Sequence, residues 1–159
     1  MKPRDEVQDL RETLNRLRDL ELTIAELYRN CAEASGTDQD FWRAMERAEE
    51  RHALNIVRLL DFLAQKPQGL TFGRRFQTAA IQTAIGGVRQ NIRKIQDRGI
   101  RREKLLYLSR DLEQSLLERQ FYEAIECRDP QCLGMIQEII ADTLAHREML
   151  EQTIRRLAS

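Results

Sequence analysis

Two histidines and two glutamates in this 159-residue chain stand where apolar residues belong. Helical periodicity predicts a first stripe of Leu14, Leu17, Glu21, Ile24 and Tyr28, and a second of Trp42, Met45, Glu49, His52 and Ile56. Near the C-terminus His146 falls between Thr143 and Leu150 on a similar stripe. Glu49 and His52 are three residues apart, so on a helix their side chains lie over one another on one face. Burying an unpaired carboxylate costs several kcal/mol, so such groups are normally ion-paired, hydrogen-bonded or bound to a metal. Carboxylates with imidazoles form a ligand set for iron, manganese or zinc.

The elements that must position these groups are long helices. A 42% hydrophobic, 33% charged composition with only 7 Gly and 3 Pro favours amphipathic helices in one domain. Hairpin one is expected over 3–66, with Pro3 in the first turn of its first helix, Gly36 after that helix, Thr37 or Asp38 capping the next, and Pro67 and Gly69 ending it. Hairpin two is expected over 101–158. Its first helix runs to about Glu126 with Leu105, Leu108 and Leu112 inward, and its second starts at Asp129-Pro130. Between them, 67–100 reads as a connecting helix with an Ala80, Ala84, Val88, Ile92, Ile95 stripe interrupted by Gly86-Gly87.

The two halves align at a constant offset of 94 residues: Leu14 with Leu108, Tyr28 with Tyr122, Met45 with Ile139, His52 with His146, Ile56 with Leu150 and Leu63 with Leu157. The pairing of the chain's two histidines carries this repeat further than apolar positions alone could. Two copies of one hairpin joined by a crossover give a four-helix bundle of ferritin-like connectivity.

Glu21-x6-Tyr28 followed by Glu49-Glu50-Arg51-His52 resembles the rubrerythrin-like branch of the ferritin-like superfamily, over about residues 10–65 and 104–158. The resemblance implies a non-haem iron centre with Glu21 and His52 as terminal ligands and Glu49 as a bridge. It implies iron oxidation, or peroxide or oxygen handling, with electrons from a separate donor. The second hairpin departs from the pattern: Ser115 and Thr143 stand where glutamates are expected, and only His146 remains. Glu118 and Asp142 are the neighbouring acids that could compensate.

Three arrangements remain open. Glu21, Glu49, His52 and His146 could hold one metal ion. Water or shifted acids could complete a dinuclear site. Or a metal-free network could pair the carboxylates with protonated histidines, bonded to Ser115 and Thr143. The last corresponds to a catalytically inactive bundle acting as a binding or scaffold protein. Tyr28 and Tyr122 are either hydrogen-bond donors to the site or core aromatics. Axial haem ligation is disfavoured by the glutamates in the same layer, and a hemerythrin-type site needs more histidines than two.

Nine Lys/Arg (Arg74, Arg75, Arg89, Arg93, Lys94, Arg98, Arg101, Arg102, Lys104) face two acids in 70–104. Net charge is +0, and aromatic interleaving is sparse, so a solvated connecting helix fits better than a nucleic-acid surface. No apolar run reaches membrane-spanning length and no secretory signal is visible, and Cys31, Cys127 and Cys132 form no paired framework. These features point to a reducing, cytoplasmic setting. Leu106, Tyr107 and Leu117 read as outward-facing and raise the expectation of a homodimer.

Overall fold

The computed structural model describes residues 4–73, 78–97 and 99–159. The described residues are predominantly helical: α1 (Arg4–Ala34), α2 (Gln39–Gln65), α3 (Thr78–Gln96), α4 (Arg102–Arg119) and α5 (Pro130–Ala158), with short strands β1 (Leu70–Phe72) and β2 (Ile125–Cys127). Pro3, Arg74, Arg75 and Arg98, invoked above, lie outside the described residues.

Each helix buries the stripe its sequence spacing provides. In α5 the buried residues Cys132, Ile136, Ile139, Thr143, His146, Leu150 and Ile154 recur every three or four residues, which places them on one face. α3 does the same with Ile81, Ile85, Val88, Ile92 and Ile95. Gly86 and Gly87 do not interrupt it, because a buried β-branched stripe holds the helix on both sides of them. α1 buries a wider face, from Leu14 and Leu17 round to Ala25 and Ala32, because both α2 and α3 pack against it.

The predicted boundaries hold at several ends. Asp129 caps α5, its carboxylate accepting from the backbone N–H groups of Gln131 and Cys132, and Pro130 occupies the first turn. Asp38 precedes α2 but makes no side-chain cap; it pairs instead with Arg102, whose Nη2 lies 2.9 Å from Oδ1.

Hairpin two differs from expectation. Its first helix stops at Arg119, well before Glu126, because Gln120 turns left-handed (φ 53°). The chain then makes a turn and enters β2, which pairs antiparallel with β1: Leu70 opposite Cys127, Thr71 opposite Glu126, Phe72 opposite Ile125. This ribbon fastens the start of the connecting segment to the turn between α4 and α5. The α4 stripe is also phased differently. Leu105, Leu106, Ser109 and Glu113 are buried, whereas Leu108 and Leu112 are half-buried beside a groove of about 680 Å³ between α3 and α4. Leu106 is fully buried and Leu117 half-buried, leaving only Tyr107 of the three outward residues exposed. No described helix is long and apolar enough to cross a membrane.

Candidate metal centre

Four helices supply one polar layer inside the hydrophobic core. α1 provides Glu21, α2 provides Glu49 and His52, α4 provides Glu113, and α5 provides His146. All five are buried, from 0% exposure for His52 and Glu113 to 6% for His146. The sequence-predicted residues Glu21, Glu49, His52 and His146 are thus brought together.

Glu49 lies at the centre. Its Oε2 is 3.2 Å from His52 Nδ1 and its Oε1 is 3.1 Å from His146 Nδ1. Each histidine then has a second carboxylate of its own: Glu21 Oε2 at 3.7 Å from His52 Nδ1, and Glu113 Oε1 at 3.5 Å from His146 Nδ1. Glu21, Glu49 and His52 form one ligand-sized cluster, and Glu49, Glu113 and His146 form another, with donor atoms in each within 4.8 Å of one another. The imidazole planes are inclined by 26° with centroids 6.3 Å apart.

The surrounding contacts repeat this symmetry. The Tyr28 hydroxyl of hairpin one donates to Glu113 of hairpin two. The Tyr122 hydroxyl of hairpin two donates to Glu21 of hairpin one. Both tyrosines are therefore attached to the site rather than being apolar filler. Beyond His52, Asp142 Oδ2 lies 2.9 Å from Nε2. A carboxylate there accepts a hydrogen bond from Nε2–H, the tautomer that leaves the Nδ1 lone pair for a cation.

Glu113 is the residue that the constant offset concealed. Glu21 precedes Tyr28 by seven residues along continuous helix, while Glu113 precedes Tyr122 by nine, because the break at Gln120 adds two residues before the tyrosine reaches the layer. The first helices of the two hairpins therefore match at an offset of 92, which pairs Leu14 with Leu106 and Glu21 with Glu113; the second helices match at 94. Ser115, at the position the constant offset selected, is half-buried and accepts a hydrogen bond from Arg119. Glu118 is exposed and accepts from Gln114. Thr143 donates to the Ile139 carbonyl of its own helix. The carboxylate–histidine pairs of the metal-free arrangement are therefore present, but among the described residues the Ser115 and Thr143 hydroxyls bond to Arg119 and to the Ile139 carbonyl rather than to the layer.

The electrostatics show an excess of negative charge. Three buried carboxylates meet two imidazoles, so protonating both rings would still leave one charge uncompensated. Burial by itself would lower the histidines, but contacts with Glu21 and Glu49 raise His52 to about 12. Burial is likewise outweighed at His146 by Glu113 and Glu49, which raise it to about 10. Burial and the neighbouring Glu49 charge push Glu21 up to about 7. Burial also disfavours the Glu49 charge, yet the two rings hold it below the ordinary carboxylate range. Burial, reinforced by Glu113 and Glu21 respectively, raises Tyr28 and Tyr122 well above the usual phenol range.

The donor set fits a metal ion. Glu113 Oε2 and His146 Nδ1 are buried with no hydrogen-bond partner among the described residues. His146 Nδ1 is close to two carboxylates, but neither contact has hydrogen-bond geometry, so proximity there is not satisfaction. A cation bound between these atoms supplies both missing interactions at once. Cys31, Cys127 and Cys132 are free and stand outside these clusters.

Neither a family model, nor a curated protein, nor a solved structure matches the chain.

Proposed function

We propose that this chain is a ferritin-like, rubrerythrin-related metal-binding protein whose centre takes two divalent ions on Glu21, Glu49, His52, Glu113 and His146. The observation that carries this reading is the placement of Glu49, whose two oxygens face different histidines, each with a further carboxylate of its own. That is the donor pattern of two ions sharing one carboxylate bridge. It also follows the ferritin-like plan of one Glu from each of two helices and a Glu-x-x-His pair from the others. Here Thr143 removes the second bridging carboxylate. Five protein ligands for two ions leave coordination positions for water or substrate.

Iron, manganese and zinc all suit these oxygens and imidazole nitrogens. Iron would supply one-electron chemistry with peroxide or oxygen, in keeping with a non-haem iron oxidoreductase. The chain's own groups have separable tasks. Tyr28 and Tyr122 hold Glu113 and Glu21 in position, Asp142 orients His52, and the surrounding apolar core excludes water. The redox form of this reading calls for a separate electron donor. A homodimer in a reducing, cytoplasmic setting is compatible with it; of the three residues named for the dimer only Tyr107 is exposed, and Leu22, Leu54, Leu133, Leu144 and Met149 are exposed besides.

Elemental analysis of protein purified without added metal, followed by titration with ferrous and zinc ions, tests the proposal. The expected result is binding that approaches two ions per chain and collapses in Glu49→Gln, which loses the shared ligand. Equal metal content in wild type and Glu49→Gln, or none in either, would leave the inactive-scaffold alternative in its place.

A further inference from the structure

Trp42 is the chain's single tryptophan, and it is 1% exposed in the first turn of α2. Its ring stacks on Tyr28 with centroids 5.8 Å apart and planes inclined by 24°. The half-buried Phe41 ring meets it edge-on at 5.0 Å. Since Tyr28 donates to Glu113, an unbroken line of contacts runs from the start of α2 to the His146 half of the polar layer. The other half has no such line. Tyr122 donates to Glu21, but the position matching Trp42 at the offset of 94 is Ile136. Both residues are buried, so core packing at this position is met by an aliphatic side chain and does not by itself call for an indole.

Hydrogen bonding gives the pair a direction. Trp42 Nε1 is buried with no partner among the described residues. An indole that loses an electron becomes acidic at this N–H, but among the described residues no base accepts from it. The charge stays on the ring, which remains a strong one-electron oxidant. Tyr28 is in the opposite position, because its O–H already points at a carboxylate. When it loses an electron, its proton moves to Glu113 along an existing hydrogen bond. The electron vacancy therefore passes from Trp42 to Tyr28 and stops there.

We propose that Trp42 and Tyr28 form a one-electron relay between the first turn of α2 and Glu113. A one-electron oxidant removes an electron from Trp42. Tyr28 returns an electron to Trp42 as its O–H bond breaks and the proton passes to the Glu113 carboxylate, leaving a neutral tyrosyl radical and a restored indole. In the metal-loaded protein a reduced metal would return the electron to Tyr28, so that electrons leave the layer singly towards a surface oxidant, a use that rests on the proposed metal centre.

The test needs no metal, so it can fail or succeed independently of the metal titration. Metal-free protein with the exposed Tyr107 removed (Tyr107→Phe) is oxidised by a flash-generated ruthenium(III) polypyridyl complex. Transient absorption and freeze-quench electron paramagnetic resonance follow the radicals. The expected result is a tryptophan radical cation that decays as a tyrosyl signal rises. Adding Tyr28→Phe removes the tyrosyl signal and lets the tryptophan radical persist. Adding Trp42→Phe, which keeps a ring in the stack, removes the tyrosyl rise. A tyrosyl signal that survives Tyr28→Phe, or an undiminished rise in Trp42→Phe, overturns the relay. Should Trp42→Phe fail to fold, the Tyr107→Phe protein still decides the matter: tryptophan radical decay without a tyrosyl rise overturns it.

Discussion

Replacing Glu113 with glutamine removes a charge from the polar layer while keeping the volume and the oxygen that accepts from Tyr28. In the metal-free protein the change should be small. The lost carboxylate is one of three in a negatively overcharged cluster, and one of its oxygens has no hydrogen-bond partner among the described residues. A net effect within about 1 kcal/mol of zero follows from the usual worth of one hydrogen bond. The metal-loaded protein should behave differently. A ligand at 100 times its Kd stabilises the folded state by about 2.7 kcal/mol. Even loss of a residue that only supports a ligand weakens metal binding about 10–100-fold. A 100-fold loss leaves the variant near its own Kd, where the stabilisation is only about 0.4 kcal/mol. The difference of about 2.3 kcal/mol corresponds to roughly 5–9 °C in Tm for a domain of this size. Thermal melts of wild type, Glu113→Gln and Ser115→Ala, each with and without zinc, provide the assay. Glu113→Gln should lose most of the metal-induced shift and Ser115→Ala none, because Ser115 bonds to Arg119 away from the clusters. An equal zinc shift in wild type and Glu113→Gln would refute the assignment of Glu113 as a ligand.

Asp142→Asn should weaken metal binding about 10–100-fold by releasing the orientation of His52; unchanged affinity in a competitive chelator titration would count against the Asp142–His52 contact. Thr143→Glu restores a Glu-x-x-His pair on α5, so it should destabilise the metal-free protein by a few kcal/mol through an added buried charge yet raise metal affinity, both readable from melts with and without zinc. Glu46→Gln addresses acid stability outside the layer. Burial opposes the Glu46 charge, but Arg43 and Arg29, both at 2.8 Å, outweigh it and hold the carboxylate below its ordinary 4.5. Its stabilisation is therefore present above pH 4.5 and is lost as pH falls through the lower folded value. With both arginines over one-third exposed, the wild-type advantage over Glu46→Gln should be about 1 kcal/mol or less at neutral pH and vanish in acid, as followed by urea melts across pH.

Much of this architecture is legible in the residues. The α5 stripe and its Asp129-Pro130 start, the α1 and α2 seams, and the inward glutamates and histidines of hairpin one all follow from three- and four-residue spacing. What remained hidden traces to the end of α4. A left-handed residue at Gln120 carries no signal such as glycine or proline, so the helix reads straight through to Glu126 and Tyr122 sets a false phase. The correct phase is written in Leu106, Ser109 and Glu113, spaced three and four apart, but Ser109 and Glu113 are polar and make a poor apolar stripe. The cross-hairpin bonds from Tyr28 and Tyr122 depend on how the helices dock, which no single segment encodes.

The break at Gln120 also makes the two halves of the layer mechanically unequal. Tyr28 reaches Glu113 from within a long helix, nearly two turns before its end, held by backbone bonds on both sides. Tyr122 reaches Glu21 from a turn, whose backbone lacks a helical ladder of its own. Turns open more readily than helix interiors, so the Tyr122 contact can let go while the Tyr28 contact stays closed. The two hairpins thereby provide one stiff support and one compliant support on either side of Glu49.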